Sequence, residues 1–327
     1  MGVFTALGDA ELAAIADDFG LGAVVSWRPI AAGTINSNFE LVTTTARTFV
    51  RVNEGKAEVD VAWEARLVGA LAASGVNTPP PLVARDSRPY ARLPTSLGGV
   101  AKWVSAFSWR AGVHLAPGDV DATQAARLGA ELAKLHVAGL ALPEGWRRGS
   151  IYDHDHLVAR HARIAQANIA DLARAVDVLG DELAHSGAAA AVRRRATHGM
   201  IHGDLFRDNV LWDGDRVTAL LDFEQASGGS LVYDLAVCIN DWCWNGAPRI
   251  DVAAAMLVGY GEVRPLTVAD RAALPIEIRA AATRFTITRI TDVYLARVAN
   301  PDKDFRAFLA RVDAWRGPAL GQLAAAL

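Results

Sequence analysis

The chain has only two cysteines among its 327 residues, and their spacing suits neither a disulfide nor a metal pair. Cys238 and Cys243 are five residues apart, which on a helix turns their side chains about 140° away from each other. This separation opposes a disulfide and does not match a CxxC metal pair, so we expect buried free thiols. The histidines at positions 154, 156 and 161 have no cysteine or HExxH partner, so no zinc site is expected.

Long apolar runs and an excess of positive charge are also missing. No stretch approaches the roughly 20 uncharged apolar residues that a membrane helix needs, and the first residues lack the pattern of a secretory signal. The formal net charge of −3 gives the whole chain no basic field for nucleic acid or an anionic membrane. We therefore expect a cytoplasmic protein that binds neither nucleic acid nor membrane. The sequence leaves its oligomeric state open.

The composition that is present fits a folded enzyme. Hydrophobic residues make up 52% of the chain and charged residues 21%, and a length of 327 residues predicts about two domains. Strand-like patterns dominate the first third and helical patterns the rest. The sequence therefore predicts an α+β fold with a small N-terminal lobe, residues 1–107, and a larger, mainly helical lobe, residues 108–327.

Periodicity places the individual elements within these two lobes. In the first lobe we predict a leading helix at 11–19, a helix at 59–73, and strands at 23–30, 38–43, 48–53, 82–85 and 100–107. In the second lobe we predict short strands at 209–212 and 217–221, and helices at 121–136, 159–184, 188–197, 231–244, 250–260, 268–297 and 305–323.

The segment from Ile201 to Trp212 carries the strongest functional pattern. Asp204 precedes Asn209 by five residues in a loop between apolar stretches, and Asp222 follows a strand-like run. Protein kinases use this layout of an Asp-x4-Asn loop and a later aspartate for phosphoryl transfer. The pattern predicts that Asp204 accepts or orients the proton of an acceptor hydroxyl. Asn209 and Asp222 are the predicted Mg²⁺ ligands, because Mg²⁺ prefers hard oxygen atoms.

Four neighbouring residues have supporting roles in this interpretation. His202 is predicted to hold the loop through hydrogen bonds, and Asp208 to act as a structural or capping residue. Glu224 is either a second acid behind the metal or a surface residue. Asp234 begins a helix, where a carboxylate satisfies free amides and complements the helix dipole.

A polar turn between the first two predicted strands is the candidate phosphate-binding element. Its glycine allows the backbone to turn, and its polar side chains have groups that can bond phosphate oxygens. These residues are Gly33, Thr34, Asn36 and Ser37. The turn has no GxGxxG pattern, so an ordinary hairpin turn stays open as the alternative.

The candidate cation for nucleotide phosphates is an arginine. Kinases place a lysine on the third strand and pair it with a glutamate on the next helix. Here Arg51 occupies the strand and Glu64 the helix. Arginine is permanently charged and binds phosphate bidentately, with a geometry that differs from that of lysine. Lys56 is an alternative cation, and a solvated edge-strand charge is the alternative role for Arg51.

These motifs together resemble the aminoglycoside-phosphotransferase-like kinases, which have the two-lobed protein-kinase fold and phosphorylate small-molecule hydroxyls. The resemblance is carried by Gly-Thr-Ile-Asn-Ser-Asn-Phe, by Glu64 in Trp-Glu-Ala-Arg-Leu-Val, by His-Gly-Asp-Leu-Phe-Arg-Asp-Asn, by Leu-Asp-Phe-Glu and by Tyr-Asp-Leu-Ala. It implies ATP as phosphate donor, Mg²⁺ as cofactor and a small-molecule acceptor.

Within that superfamily the chain is most similar to the bacterial homoserine kinases, which act in threonine biosynthesis. The similarity lies in the opening Met-Gly-Val-Phe-Thr, the glycine turn, the Asp-Leu-Phe-Arg-Asp-Asn-Val loop and Tyr-Asp-Leu-Ala-Val-Cys-Ile-Asn-Asp-Trp-Cys-Trp. It implies L-homoserine as acceptor, whose carboxylate needs a cation and whose ammonium needs an anion or carbonyls. The candidates for these contacts are Asn240, Asp241, Arg284 and Arg289.

Three alternatives remain open at this point. The four acceptor candidates have inter-helix or surface pairing as their alternative role. The acceptor itself could instead be an aminoglycoside, a choline-like alcohol or a sugar, although the C-terminal half shows no acidic cluster suited to a polycationic aminoglycoside. A nucleotide-binding pseudokinase is the third alternative. Intact Asp204, Asn209 and Asp222 argue against it, whereas Arg51 leaves room for it.

Overall fold

The computed structural model describes residues 4–31, 35–93, 101–298 and 300–325. The chain divides into two compact units. The first comprises Met1–Gly112 together with Thr218–Glu224, and the second comprises Val113–Val217 together with Gln225–Leu327. Among the residues that the structure describes, no helix is both long and apolar enough to cross a membrane.

The first unit is built on a five-stranded antiparallel sheet with the order β1-β2-β3-β5-β4. The strands are β1 (Val24–Ile30), β2 (Ser37–Thr43), β3 (Arg47–Asn53), β4 (Ala91–Arg92) and β5 (Trp103–Ser108), and the helices are α1 (Asp9–Asp18) and α2 (Glu58–Ala73). Alternating apolar residues on β2 and β3 form one core with α1, including Phe39, Leu41, Val50 and Val52. This core fixes the register of the strands that carry Arg51.

The predicted strand at 82–85 is wrong. Pro81 forms only an isolated bridge with Phe107, and the chain then turns through Ser87, whose φ is 68°. The short strand β4 pairs with β5 instead. Leu82 still donates to Ala106 of β5, but the Ala84 amide donates to the Arg88 carbonyl, so the segment closes a local turn and does not continue as a strand.

The second unit is mainly helical. Its helices are α3 (Ala122–Ala141), α4 (His154–Gln166), α5 (Ala173–Ala188), α6 (Ala190–Arg195), α7 (Leu231–Trp242), α8 (Ile250–Val263), α9 (Val268–Arg289), α10 (Phe305–Arg316) and α11 (Pro318–Ala325). Its strands are β6 (His198–Ile201), β7 (Val210–Asp213), β8 (Arg216–Leu220), which runs on into the first unit, and β9 (Ser227–Ser230). β6 and β9 pair in antiparallel fashion, and the loop that follows β6 carries Asp204.

Three predicted long helices are interrupted. Helix α4 ends at Gln166, and Asn168, with a φ of 47°, separates it from α5. Helix α9 ends at Arg289 and continues as a π-helical turn. Helix α10 ends before Gly317, and Pro318 begins α11. Asparagine tolerates positive φ and proline cannot donate to the preceding turn, so each break has a local cause except the π-helical turn, for which the sequence gives no clear signal.

Helices α3 and α8 approach each other closely at two glycines. A Cβ atom on Gly129 would collide with the backbone oxygen of Met256, and one on Gly259 would collide with the backbone oxygen of Ala126. Only the absence of a side chain allows this backbone contact. As a result His136 on α3 and Tyr260 on α8 form a buried hydrogen bond of 2.7 Å.

Candidate active site

The loop after β6 leaves part of the Asp204 carboxyl accessible. Its side chain is 31% exposed, and Arg284 Nη1 lies 3.6 Å from its Oδ1 atom. Burial raises the pKa of Asp204 above its ordinary value, while the positive charge of Arg284 and the ring of His202 oppose that increase. A carboxyl with a raised pKa that stays accessible is suited to accept a proton.

Local hydrogen bonds give this loop a fixed backbone. The Nδ2 atom of Asn209 donates to the backbone oxygen of Asp204 at 2.8 Å, and the Asp204 amide donates to His202 Nδ1 at 3.3 Å. His202 is fully buried, and Gly203 adopts a φ of 78°. Asn209 therefore presents its amide nitrogen to the loop, which directs its side-chain oxygen away from that bond.

Asp234 supports the loop in a way that the sequence interpretation did not foresee. Its carboxylate accepts the backbone amides of His202 at 2.6 Å and Gly203 at 2.7 Å, rather than amides of its own helix α7. Burial alone would raise the pKa of Asp234, but hydrogen bonds from His136 and from the loop lower it below its ordinary value. The expectation that Asp234 satisfies amides of its own helix is wrong, because its carboxylate holds the loop that carries Asp204, although Asp234 does lie in the first turn of α7.

Behind Asp234 lies a fully buried polar chain. His136 Nε2 lies 3.1 Å from Asp234, and its Nδ1 lies 2.7 Å from the hydroxyl of Tyr260. Burial lowers the pKa of His136, so the ring is neutral, donates from Nε2 to the carboxylate and accepts from Tyr260 at Nδ1. Arg264 then donates to the Tyr260 hydroxyl and pairs with Asp270 at 2.9 Å. The chain connects the loop to helices α3, α8 and α9.

The four acceptor candidates lie in different environments. Asp241 binds Arg207 of the loop at 3.0 Å, and both of its oxygens are used in that pairing. Asn240 is fully buried: its Nδ2 donates to the backbone oxygens of Ala236 and Ile278, and its Oδ1 accepts from Trp315. The side chains of Asn240 and Asp241 are therefore committed to the protein itself.

Arg284 and Arg289 are different, because each guanidinium lies over an aromatic ring. Arg284 is buried, stacks on Tyr152 at 4.1 Å and on Phe285 at 3.8 Å, and faces Asp204. Arg289 stacks on Phe308 at 4.3 Å and donates to the backbone oxygen of Asp304. Burial lowers the pKa of Arg289, which nearby acids including Asp204 partly oppose.

In the first unit, Arg51 is the centre of a buried ion cluster. Its Nη2 lies 2.7 Å from Glu64, and its Nη1 lies 3.4 Å from Glu224 and 3.8 Å from Asp222. Burial alone would lower the pKa of Arg51, but these three carboxylates raise it above its ordinary value. The alternative of a solvated edge-strand charge is excluded by this burial. The other cation, Lys56, lies 3.3 Å from Glu64 and 2.8 Å from Glu224.

The other residues around Arg51 differ in how exposed they are and in what they bind. Asp222 has a φ of 61°, unusual for a residue with a side chain, and its carboxylate is 47% exposed. The side chain of Glu224 is only 7% exposed, so its surface alternative is excluded. Asn36 donates to Glu224. Ser37 accepts the amides of residues 4 and 5 and donates to Glu54, so its hydroxyl serves the fold.

Two of the predicted phosphate-turn residues, Gly33 and Thr34, lie outside the described residues. The structure therefore places Asn36 and Ser37 of that turn and leaves the other two as predictions from sequence alone.

Family comparison agrees with this geometry. A model of the phosphotransferase enzyme family matches residues 26–266, and the chain belongs to that family. It is 34% identical over 304 residues to a homoserine kinase of Afipia carboxidovorans, covering 89% of this chain and 87% of the relative. It is 32% identical over 339 residues to a homoserine kinase of Parvibaculum lavamentivorans, covering 98% and 97%. The prediction of a small-molecule phosphotransferase related to homoserine kinases is confirmed.

Solved structures confirm the fold class. A spectinomycin phosphotransferase in complex with ADP and spectinomycin superimposes with a TM-score of 0.69, at 14% identity, over 98% of this chain and 100% of the other. The five-stranded antiparallel sheet at the N-terminus and the mainly helical remainder are those of this kinase-like fold.

Two residues close to the site were missed by sequence reasoning. The sequence predicted helices at 121–136 and 305–323, but it gave His136 and Arg311 no role in the site. A signal did exist for Arg311, because it falls on the buried face of α10, which also carries Phe308, Val312 and Trp315. A charged residue on the buried face of a helix requires a partner or a function.

Proposed function

We propose that this chain transfers the γ-phosphoryl group of ATP to the side-chain hydroxyl of L-homoserine, with Mg²⁺, to give O-phosphohomoserine and ADP. The observation that carries the proposal is the Asp204 loop, whose backbone is fixed by Asn209 and Asp234, in a chain about one-third identical to homoserine kinases over most of its length. The reaction needs a positioned proton acceptor, and Asp204 is the residue that we assign to it.

The chemical step follows from that assignment. The acceptor oxygen forms a bond to the γ-phosphorus while the bond from that phosphorus to the β,γ-bridging oxygen breaks and ADP leaves. The hydroxyl proton passes to the Asp204 carboxylate. Arg284 lies 3.6 Å from this carboxylate, and its positive charge opposes the increase in pKa that burial causes, which favours the ionised form that accepts a proton. His202 acts through the backbone, by accepting the Asp204 amide.

The residues fit Mg²⁺ by their chemistry. The Asn209 amide nitrogen is engaged by the Asp204 carbonyl, which leaves the oxygen as the coordinating atom, and nearly half of the Asp222 carboxylate surface is exposed. Both are hard oxygen donors, the ligands that Mg²⁺ takes in nucleotide sites. We assign these two residues to the metal, which would supply charge neutralisation on the phosphates when bound.

On the donor side we assign Arg51 to the nucleotide phosphates and Glu64 to holding it. The Arg51–Glu64 pair occupies the strand and helix positions of the lysine–glutamate pair in kinases, and Lys56 shares the same carboxylate. Gly33, Thr34 and Asn36 are proposed to line the phosphates, and Ser37 to hold the start of β2 in place.

A turnover panel tests the proposal. ADP release is measured with L-homoserine, kanamycin, choline and a hexose at matched ATP and Mg²⁺, using wild type, Asp204→Asn and the exposed control Asp213→Asn. We expect turnover on homoserine above the other acceptors, its loss in Asp204→Asn and its retention in the control. Absence of homoserine turnover above background ATPase activity would remove the acceptor assignment.

The metal assignment has a separate test. Mg²⁺ titrations of nucleotide binding and of turnover are compared for wild type, Asn209→Ala and Asp222→Ala. We expect the apparent Mg²⁺ affinity to weaken in both variants, because each loses one oxygen ligand. Unchanged titrations in both would exclude these two residues as ligands.

A further inference from the structure

Among the arginines of the second unit that have no ion-pair partner in the described part of the chain, two lie beside the same aromatic ring. Arg207 is neutralised by Asp241 at 3.0 Å. Arg289 and Arg311, in contrast, have no carboxylate oxygen within 4.0 Å in the described part of the chain. Arg311 is only 7% exposed. A nearly buried guanidinium without a carboxylate partner is costly, and a bound anion would offset that cost.

The two guanidinium groups share one aromatic ring. Arg289 lies 4.3 Å and Arg311 4.4 Å from the centre of Phe308, and Arg311 also stacks on Trp244 at 4.7 Å. Stacking fixes the planes of both groups while leaving N–H donors at their edges. Two fixed guanidinium groups are well suited to bind an anion with two or more oxygens.

Arg311 is held in place by the protein backbone. Its Nε donates to the backbone carbonyl of Asn240 at 2.6 Å, and its Nη1 donates to the backbone carbonyl of Ala307. The Asn240 side chain is fixed in turn by Ala236, Ile278 and Trp315. The remaining nitrogen, Nη2, has no protein acceptor among the described residues. The group is therefore preorganised with one donor unused.

This pair of arginines is connected to the catalytic loop. Phe206, two residues after Asp204, stacks on Phe308 with centroids 5.7 Å apart and ring planes 9° apart. The charge of Asp204 is also close enough to Arg289 to raise its pKa against the effect of burial. An anion bound at these arginines would therefore lie in the same part of the second unit as the proton acceptor.

We propose that Arg289 and Arg311 form the subsite that binds the acceptor's carboxylate. This rests on the proposed function, and it changes the sequence-based assignment. Asn240 and Asp241 become supports, the first for Arg311 and the second for Arg207, while Arg311 joins Arg289 as a direct ligand. Burial lowers the pKa of Arg311 to about 10, and an arriving carboxylate would offset that unfavourable desolvation.

The test compares acceptors that differ only in charge. L-Homoserine and L-homoserine amide have the same hydroxyl and ammonium groups, but the amide has no carboxylate. kcat/KM is measured for both with wild type, Arg289→Gln, Arg311→Gln and Arg311→Lys, and with Arg316→Gln as control. Arg316 is on the same helix and pairs with Asp181. Thermal denaturation of every variant shows whether it is folded.

We expect wild type and the control to prefer homoserine over its amide by about 30-fold or more, because a buried charge pair is broken with the amide. In Arg311→Gln this preference should fall to within a few-fold, through KM more than kcat, and Arg311→Lys should restore part of it. A folded Arg311→Gln that loses activity equally on both acceptors would overturn the proposal, since that result indicates a structural role.

The proposal and the function can fail separately. If wild type does not phosphorylate homoserine, calorimetric titration of wild type and Arg311→Gln with L-homoserine, L-threonine and 3-aminopropan-1-ol still tests the subsite. Binding of the two carboxylates that is lost in Arg311→Gln would support the subsite without the substrate. If homoserine is turned over and the preference for carboxylate is unchanged in both arginine variants, the subsite fails and the function stands.

Discussion

Replacing Arg51 with methionine removes one of two cations from a cluster of nearly buried carboxylates. The side chains of Glu64 and Glu224 are 6% and 7% exposed, so neither can regain full hydration in the folded protein. Breaking a buried pair usually costs about 3–5 kcal/mol. Lys56 still reaches both carboxylates, at 3.3 Å and 2.8 Å. We therefore expect Arg51→Met to lower the free energy of unfolding by about 3 kcal/mol, at the lower end of that range.

The origin of this loss can be separated from ordinary packing effects. In Arg51→Met the Glu64 carboxylate is left with a weaker partner. Replacing it as well, in Arg51→Met/Glu64→Leu, removes that carboxylate and leaves Lys56 to pair with Glu224. Apolar pairs often match or exceed the stability of the ion pair that they replace. We expect the double variant to be more stable than the single variant, although it lacks more of the native contacts.

The pH dependence of the loss has a definite sign. In the folded wild type, burial acts to raise the pKa of Glu64, but Arg51 and Lys56 lower it below its ordinary value of 4.5. The ionised carboxylate therefore adds stability above about pH 4.5, and this is lost as the pH falls through the folded pKa. Without Arg51, burial dominates and folding favours the protonated form. The difference between wild type and variant should thus be largest near pH 7 and shrink toward pH 4.

Urea denaturation followed by tryptophan fluorescence measures these differences at pH 7 and pH 4.5. Arg28→Met is the matched control, because Arg28 on β1 pairs with Glu40 on β2 while its own side chain is 64% exposed. Loss of this exposed arginine should cost at most about 1 kcal/mol. An Arg51→Met variant as stable as this control, or a double variant less stable than the single one, would refute the reasoning.

Three further outcomes are expected. Asp204→Asn should lower turnover by about 10²- to 10⁴-fold while the thermal midpoint stays close to that of wild type, and more than half of wild-type turnover would exclude Asp204 as the proton acceptor. Arg284 lowers the pKa of Asp204 and Asp208 raises it. The acid limb of the kcat/KM profile should therefore move to higher pH in Arg284→Gln and to lower pH in Asp208→Asn, and no movement in either variant contradicts the assignment. Burial lowers the pKa of His136 below 6.5, so the free energy of unfolding of wild type should fall as the pH drops below about 6.5. Denaturation of His136→Gln should show a smaller fall over the same pH range, and an equal fall in both proteins would contradict this expectation.

Elements with strong internal patterns could be predicted from the sequence. Strands β1, β2 and β3 and helix α2 were predicted to within about two residues, because their apolar residues alternate or recur at helical intervals. The pair β6 and β9 was missed. β9 reads Ser-Gly-Gly-Ser, which has no intrinsic preference for a strand, and it becomes one only because β6 offers it a partner.

The side-chain contacts of the site could be predicted only where both partners lie on neighbouring elements. The predicted Arg51–Glu64 pair forms, because its two members lie on neighbouring elements with a fixed register. The partners of Asp234 and Asp241 were not predictable, since each depends on which distant segment packs against its helix. Arg311 was missed for a related reason. Its position on the buried face of α10 is visible in the sequence, but the carbonyl of Asn240 that holds it is 71 residues away.

The close contact between α3 and α8 restricts how this enzyme can be made more heat-resistant. Replacing a glycine inside a helix with alanine is a standard stabilising step, gaining up to about 1 kcal/mol at each site. At Gly129 and Gly259 the added methyl group would strike the backbone of the opposite helix, push the helices apart and stretch the His136–Tyr260 bond. Gly261, two residues further along α8, has open space around its missing Cβ. Consensus or automated redesign that treats these three glycines alike would therefore gain stability at one and risk inactivating the catalyst at the other two.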